Sequence, residues 1–344
     1  MAFANSTVSD LVATTIENRT RMARDNLTNN NGLLMALKRR GNLKTISGGT
    51  QIFQEIFYDD PSTNFAGSFA GYETINISPD SPISAATFNI KHYADAATIS
   101  GPEILSNSGK EQMIDLIETR VSIAEARLLN KIDLDLHGSE TGNSGKNLAG
   151  LADMLTVGSV GGANTGAVRV NTGTYGNISR ASWAFWRHLY GTGTSMVGAA
   201  CTAATIQKAM NRMSLPLVRG ADRPDVIYCG TNAYSLFLES LQAIQRITNN
   251  SDGEAGFTSL KYYGSGAASD VILGGGVGGN ALADAMYFIN SKHVFFRPHR
   301  DRNFVAIGGD RQSVNQDAVV KLYGWSGALT CDGLQYQGRL DTAL

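Results

Sequence analysis

Proline and cysteine are scarce in this chain, with 7 prolines and 3 cysteines in 344 residues. Cys201, Cys229 and Cys331 are odd in number and far apart. That excludes a disulfide framework and a zinc ribbon and fits reduced, buried thiols. Net charge is nearly absent too. The 29 Lys and Arg face 30 Asp and Glu, a formal charge of −1, which excludes a uniformly basic nucleic-acid binder. No run of about 18 strongly apolar residues occurs, so no membrane-spanning helix is expected. The opening MAFANSTVSD has no Lys or Arg and leads into no apolar block, unlike a secretory signal. The histidines His92, His137, His188, His293 and His299 never flank a Glu at i, i+4, and the six-residue step from His293 to His299 is a poor ligand spacing. A phosphate-cradling G-x-x-x-x-G-K-[ST] and a G-x-S-x-G elbow are both missing. The sequence therefore offers no catalytic, cofactor or metal residues, and the chain reads as a non-enzyme.

What is plentiful is glycine, 38 residues, in a chain that is 42% hydrophobic. That composition fills a core and supplies many turns and bulges rather than rigid linkers. Residues 1–44 read as an arm. Ser9 caps one loosely periodic helix. Leu33-Leu34-Met35-Ala36-Leu37-Lys38-Arg39-Arg40-Gly41 gives a second, with a basic last turn and a glycine stop. Residues 19–44 hold seven basic residues (among them Arg21, Arg24, Lys38, Arg39 and Arg40) and one acid, Asp25. A solvated basic face and a docking surface for an acidic neighbour or polyanion remain equal readings.

Residues 45–90 invert that balance. They contain no Lys, Arg or His but carry Glu55, Asp59, Asp60, Glu73 and Asp80. Strand patterns at 51–58 and 86–93 enclose a turn-rich centre, which reads as a long two-stranded ribbon with an elaborated tip. Such a ribbon is marginal alone, so its support has to come from outside the segment.

Residues 108–136 give the clearest helix. Ser108 and Glu111 form a capping box, and Met113, Ile117, Val121, Ala124, Leu128, Ile132 and Leu136 hold one face. Its 29 residues would span about 43 Å, the length of a strut. Asp133 and Asp135, two apart, diverge on a helix, and a solvated face is expected for them. The aromatic stretch Trp183-Ala184-Phe185-Trp186 reads as a hydrophobic plug on a loop. Further on, 202–214 reads as a helix and Pro224-Asp225-Val226-Ile227-Tyr228-Cys229 as a buried strand. A helix begins at Thr231 or Asn232, and strands dominate from 270. The glycine run 274–279 matches G-x-G-x-x-G literally, but strand-like residues follow it where a dinucleotide site needs a helix. A hairpin loop is expected there. The basic run Arg297-Pro298-His299-Arg300-Asp301-Arg302 reads as an exposed loop or a partner contact.

The order of these parts resembles the major capsid proteins of tailed bacteriophages, whose fold is shared with encapsulin shells. The likeness is carried by Tyr93-Ala94-Asp95 through Gly101-Pro102-Glu103 leading into the 108–136 helix, by Ile178-Ser179-Arg180 with Trp183 and Trp186, by Pro224-Asp225-Val226-Ile227 before Asn232-Ala233-Tyr234, and by the closing Gly333-Leu334-Gln335-Tyr336-Gln337-Gly338-Arg339-Leu340. The resemblance implies an α+β chain of the phage major-capsid fold. It divides into an N-terminal arm (1–44), an extended β-hairpin loop (45–98), a peripheral domain (99–150) with its spine helix, an axial domain (151–315) and C-terminal strands (316–344). It implies a major capsid protein, many copies as pentamers and hexamers in an icosahedral virion shell, assembled in the host cytoplasm around double-stranded DNA without sequence-specific binding. Scaffolding, portal and decoration proteins are partners it leaves open. Some family members cross-link through a Lys on the extended loop and an Asn. Residues 45–90 have no Lys, so a non-covalent shell is expected.

Charge complementarity then nominates inter-subunit contacts: Phe53, Glu55, Phe57, Asp59, Asp60 and Glu73 on the ribbon, against Arg21, Arg24, Lys38, Arg39, Arg40, Arg297, Arg300 and Arg302. Alternatives are an encapsulin-like compartment, a nucleotide-dependent enzyme using 274–279, and a tail or fibre protein, which the long amphipathic helix disfavours.

Overall fold

The computed structural model describes residues 32–58, 68–74, 82–106, 116–242, 259–263, 268–275, 279–308, 311–312 and 317–344. Arg21, Arg24, Asp59 and Asp60 lie outside them, as do the Ser9 helix and the Ser108 cap.

The first described element is helix α1 (Gly32–Arg39), which is not a free arm. Leu33, Ala36 and Leu37 are buried in the main core. The chain then pairs alongside a later strand, with Lys44 N–H donating to Phe296 O and Ile46 N–H to Pro298 O. The ribbon follows as β1 (Gln51–Phe57) and β2 (Ile83–Asn89), antiparallel with Phe53 opposite Thr87 and Phe57 opposite Ile83. Strand β3 (Lys91–Ser100) leads through a short helix, Gly101–Ser106, to the long helix α2 (Leu116–His137).

The step-of-four face holds as expected, with Ala124, Leu128, Ile132 and Leu136 all buried. The solvated face expected for Asp133 and Asp135 is overturned, because both are buried. The helix's last turn sinks into the protein, and polar partners compensate the burial. Asn280 Nδ2 donates to Asp133 at 2.6 Å, and Tyr93 OH (2.8 Å), Lys131 Nζ (2.7 Å) and Asn147 Nδ2 (3.2 Å) donate to Asp135.

Helix α2 packs on a sheet built around the last long strand. Strands β10 (Val294–Ala306) and β11 (Arg311–Gln312) flank one side of β12 (Ala318–Cys331), and β3 flanks the other, all antiparallel. The basic run 297–302 is therefore strand, not loop. Its register slips between Pro298 and Asn303, as a proline and a bulge allow inside a sheet.

The outer edge of β3 is guarded. Arg120 donates to Thr98 O at 2.7 Å and pairs with Glu103 at 3.0 Å, and Glu103 accepts from Ser100 N–H. Asp95 accepts from Ala96 N–H and pairs with Arg127 at 3.1 Å. The Arg120 hydrogen bonds hold the Glu103 carboxyl down at about 2. Charged side chains across an edge are a common device against unwanted strand pairing.

The second sheet is mixed and seven-stranded. Its order is β4 (Val168–Arg169), β5 (Leu189–Thr192), β13 (Gly338–Asp341), β9 (Ala285–Ile289), β6 (Val226–Cys229), β8 (Ser269–Leu273) and β7 (Ser259–Tyr262). β6, β9 and β13 are buried at every residue; β6 and β9 are accordingly apolar throughout, and the charges of β13, Arg339 and Asp341, pair with each other at 2.8 Å. Helices α3 (Ile206–Ser214) and α4 (Thr231–Gln242) cover this sheet through Met210, Met213, Tyr234 and Phe237.

The glycine run is not a hairpin loop. It joins β8 to β9, which lie on opposite sides of β6, so the connection must cross the end of β6. The crossing is tight. A Cβ on Gly230 would fall 1.9 Å from Leu282 O, and one on Gly274 would fall 2.0 Å from the Tyr228 ring. The crossing chain also closes the N-terminus of α4. Asn232 and Ala233 N–H both donate to Ala283 O, so those amides are unavailable to a phosphate.

Candidate functional site

The ribbon has two unlike faces. Cross-strand pairs Ile52–Phe88 and Gln54–Ala86 point inward, and Ile52, Ile56, Ala86 and Phe88 are buried in the chain's own core. The support expected from outside the segment therefore comes, at this base, from the chain's own core. The aromatic plug supplies that support. Tyr58 packs edge-on to Trp183 at 5.0 Å and stacks on Phe185 at 5.4 Å. Phe88 meets Tyr175 at 5.2 Å, and the fully buried Trp186 donates its Nε1–H to Tyr175 O at 2.8 Å.

The other face is open. Phe53 is 66% exposed, Phe57 76% and Ile83 61%, with Glu55 exposed between them. Large apolar side chains grouped this way on a strand pair mark a contact surface. At the described part of the tip, Glu73 closes a turn on itself: its N–H donates to Ala70 O, and its carboxylate accepts from Ala70 N–H, both at 2.8 Å. The turn presents exposed Phe69 and Tyr72.

The nominated cations divide. Arg40 is committed inside its own chain, to Asp225 at 2.6 Å and Asp270 at 2.8 Å. Arg297 lies over Phe295 and hydrogen-bonds Gln54, clamping the ribbon base to its own body. These two are not available to a neighbour in the way their charge suggested. Lys38, Arg39, Arg300 and Arg302 are exposed. Ile83, Phe69 and Tyr72 were missed by charge-based reasoning. The alternation signal that exposes Ile83 becomes visible only once its register opposite Phe57 is known.

Among the described residues no group of His, Cys, Asp and Glu is placed to hold a metal ion. The three cysteines are buried and free, and burial pushes the Cys201 thiol up to about 11, away from nucleophilic use. The polar residues in the interior brace the fold. Arg180, fully buried, donates to Thr156 Oγ1 and to the carbonyls of Asp153 and Met154. His137 shares hydrogen bonds with Asp133 O (2.8 Å) and Tyr228 OH (3.0 Å), tying the end of α2 to β6.

His188 carries a pH prediction. Burial, reinforced by the nearby Arg180 charge, pushes its imidazole down to about 3. Its Nε2–H donates to Thr156 O at 2.7 Å, and Nδ1 has no partner among the described residues. A proton added at Nδ1 would have no acceptor. The folded value lies below the unfolded value near 6.5. The unfolded chain therefore binds the extra proton first, and stability falls as pH drops from about 6.5 toward 3. Urea unfolding at pH 7 and pH 5 is expected to show a lower midpoint at pH 5 and a shallower slope in His188→Gln. An unchanged slope in that variant would assign the acid sensitivity elsewhere.

With this geometry in hand, the similarities can be stated. No protein-family model matches the chain, and no curated protein sequence matches it. Solved structures do. The capsid asymmetric unit of cyanophage A-1(L) aligns over 95% of this chain and 97% of its own, at 15% identity and a TM-score of 0.61. An encapsulin of the holo-SrpI complex from Synechococcus elongatus PCC 7942 aligns over 98% and 96%, at 10% identity and 0.54. The capsid of Myoviridae phage XM1 aligns over 94% and 96%, at 11% and 0.51.

The chain has the phage capsid fold. The α+β architecture expected from the order of parts is thus observed, with a ribbon, a long helix and two sheets in one polypeptide. The ribbon's inner face is buried in its own chain, and its outer face is open.

Proposed function

We propose that this chain is the major capsid protein of a tailed bacteriophage, assembling as pentamers and hexamers into a closed, non-covalent shell around double-stranded DNA. The observation that carries the reading is the full-length capsid fold with an outward apolar ribbon face at Phe53, Phe57 and Ile83. The ribbon, spine-helix and axial divisions at 45–98, 99–150 and 151–315 are proposed with it. The axial part also lends β10 to the sheet that α2 packs on.

Expression of the chain alone, followed by negative-stain microscopy and sedimentation, is expected to give closed particles. A stable monomer at all concentrations would overturn the proposal. Particles boiled in denaturant are expected to run as one monomer band. Residues 45–90 have no Lys, and Lys91, just beyond them, is held by Glu140 at 2.7 Å and Gly145 O at 2.6 Å. A ladder of covalent multimers would refute the non-covalent shell.

The encapsulin likeness supports a second reading, a compartment that holds protein cargo. Particles from infected or native cells that contain protein and no DNA would favour it.

A further inference from the structure

The arginines of this chain are held in two ways. Arg40, Arg120, Arg127 and Arg339 each pair with a carboxylate, at 2.6, 3.0, 3.1 and 2.8 Å. Arg169, Arg187 and Arg219 do not. Arg169, on the edge strand β4, donates to Gln335 O at 2.5 Å, to Pro216 O at 2.9 Å and to Arg187 O at 3.2 Å. Arg187 donates to Arg180 O and Ala181 O, both at 2.6 Å. Arg219 donates to Tyr336 OH at 3.3 Å. Neutral oxygens fix these three guanidinium groups, and among the described residues no carboxylate pairs with them.

The same contacts gather the three residues. Arg169 and Arg219 bond to the adjacent residues Gln335 and Tyr336, and Arg169 also meets the stretch after α3 that carries Arg219 and the main chain of Arg187. The acids of the neighbourhood are already engaged. Asp341 pairs with Arg339 at 2.8 Å, Asp332 with His293 at 2.6 Å and Asp222 with Lys292 at 3.1 Å. Arg169 and Arg219 are exposed, and Arg187 is half-buried. Each guanidinium carries five N–H groups, so each has donors left over. A planar fork already held by neutral oxygens loses little freedom on meeting an anion. The chain as a whole is nearly neutral, so this is a local positive surface and not a general bias.

We propose that Arg169, Arg187 and Arg219 form a contact surface for the phosphate backbone of double-stranded DNA. The inference rests on the shell reading, which brings one polyanion to every copy of the chain, and it adds where on the subunit that polyanion is met. Forked guanidinium donors match phosphate oxygens. Contacts of this kind hold the backbone and carry no base sequence.

Arginine chemistry tests this without any variant. DNA-filled and DNA-free wild-type particles are treated with phenylglyoxal, which modifies accessible guanidinium groups, and the modified peptides are mapped. Arg169, Arg187 and Arg219 are expected to react at least about tenfold more slowly in filled particles. A second arm measures binding of a DNA duplex by the full chain kept from assembling by Phe53→Asp and Phe57→Asp. Arg219→Gln gives up only a bond to a tyrosine hydroxyl, so the fold is expected to survive by circular dichroism. At about 50 mM salt it is expected to weaken binding about threefold, with a shallower salt dependence. Equal reactivity in filled and DNA-free particles, or unchanged duplex binding by Arg219→Gln, overturns the inference and leaves the shell reading intact. Native particles that hold protein and no DNA overturn both.

Discussion

Phe53→Asp combined with Phe57→Asp is expected to leave a folded subunit that no longer assembles. Both side chains stand mostly in solvent in the single chain, so charging them removes no internal packing, and the fold loses less than about 1 kcal/mol. In the proposed shell each aromatic ring would leave water against a neighbour. Burying one contributes about 1.5–3 kcal/mol, so two per contact weaken each contact by about 3–6 kcal/mol, roughly 10²- to 10⁴-fold in association. A closed shell multiplies that loss over every contact. Sedimentation velocity is expected to show only slow species at concentrations where the wild type forms particles, with the thermal midpoint of the isolated variant subunit unchanged. Wild-type particle yield from the double variant would remove the apolar ribbon face from the assembly mechanism.

Trp186→Ala is expected to destabilise the subunit by about 3–5 kcal/mol, the usual range for emptying a fully buried aromatic site. The residue has no exposed surface and gives its Nε1–H to Tyr175 O, and Tyr175 in turn packs on Phe88 of the ribbon. The cavity would open beneath the ribbon base. Against a typical total of about 5–15 kcal/mol, that is enough to cripple expression at 37 °C. Urea unfolding in the Phe53→Asp, Phe57→Asp background measures it free of assembly. A change below about 1 kcal/mol would show that the plug is not what seats the ribbon. Trp183, half-buried at the rim, is expected to matter less.

Periodicity made the long helix and the ribbon legible. Ala124, Leu128, Ile132 and Leu136 repeat on one face, and that repeat is a local property of the chain. The paired acids near the helix end were misjudged for the same reason. Asp133 and Asp135 look like a wet face until Asn280, Tyr93 and Asn147 arrive from distant segments to satisfy them. Charge balance pointed to Arg40 and Arg297 as partners for a neighbour, yet Asp225, Asp270 and Gln54 claim them at home. A count of charges along a sequence cannot say which are already neutralised across the fold. The ends of strand β10 were legible as strand, but its middle was hidden by Pro298 and Asp301, residues that usually break a sheet and here sit where its register slips. The glycine run was read as a hairpin loop, because its crossing over β6 depends on sheet order, which no local pattern encodes. The aromatics Phe53 and Phe57 were nominated in the sequence together with the ribbon's acids. Ile83 was not, because its place on the same face is a matter of pairing.

The spine helix ends in a knuckle. Asp133 reaches the far side of the crossing loop through Asn280, and His137 grips Tyr228 on the central strand of the second sheet. The second tie is buried and the first ends on the buried Asp133, so breaking either would leave a buried polar group short of a partner. The two halves of the subunit are thus welded at this point. If such tiles close the proposed surface, flat in places and sharply curved in others, the bend is taken up beyond the weld, along the rest of the helix or in the ribbon, while the joint itself carries the load unchanged.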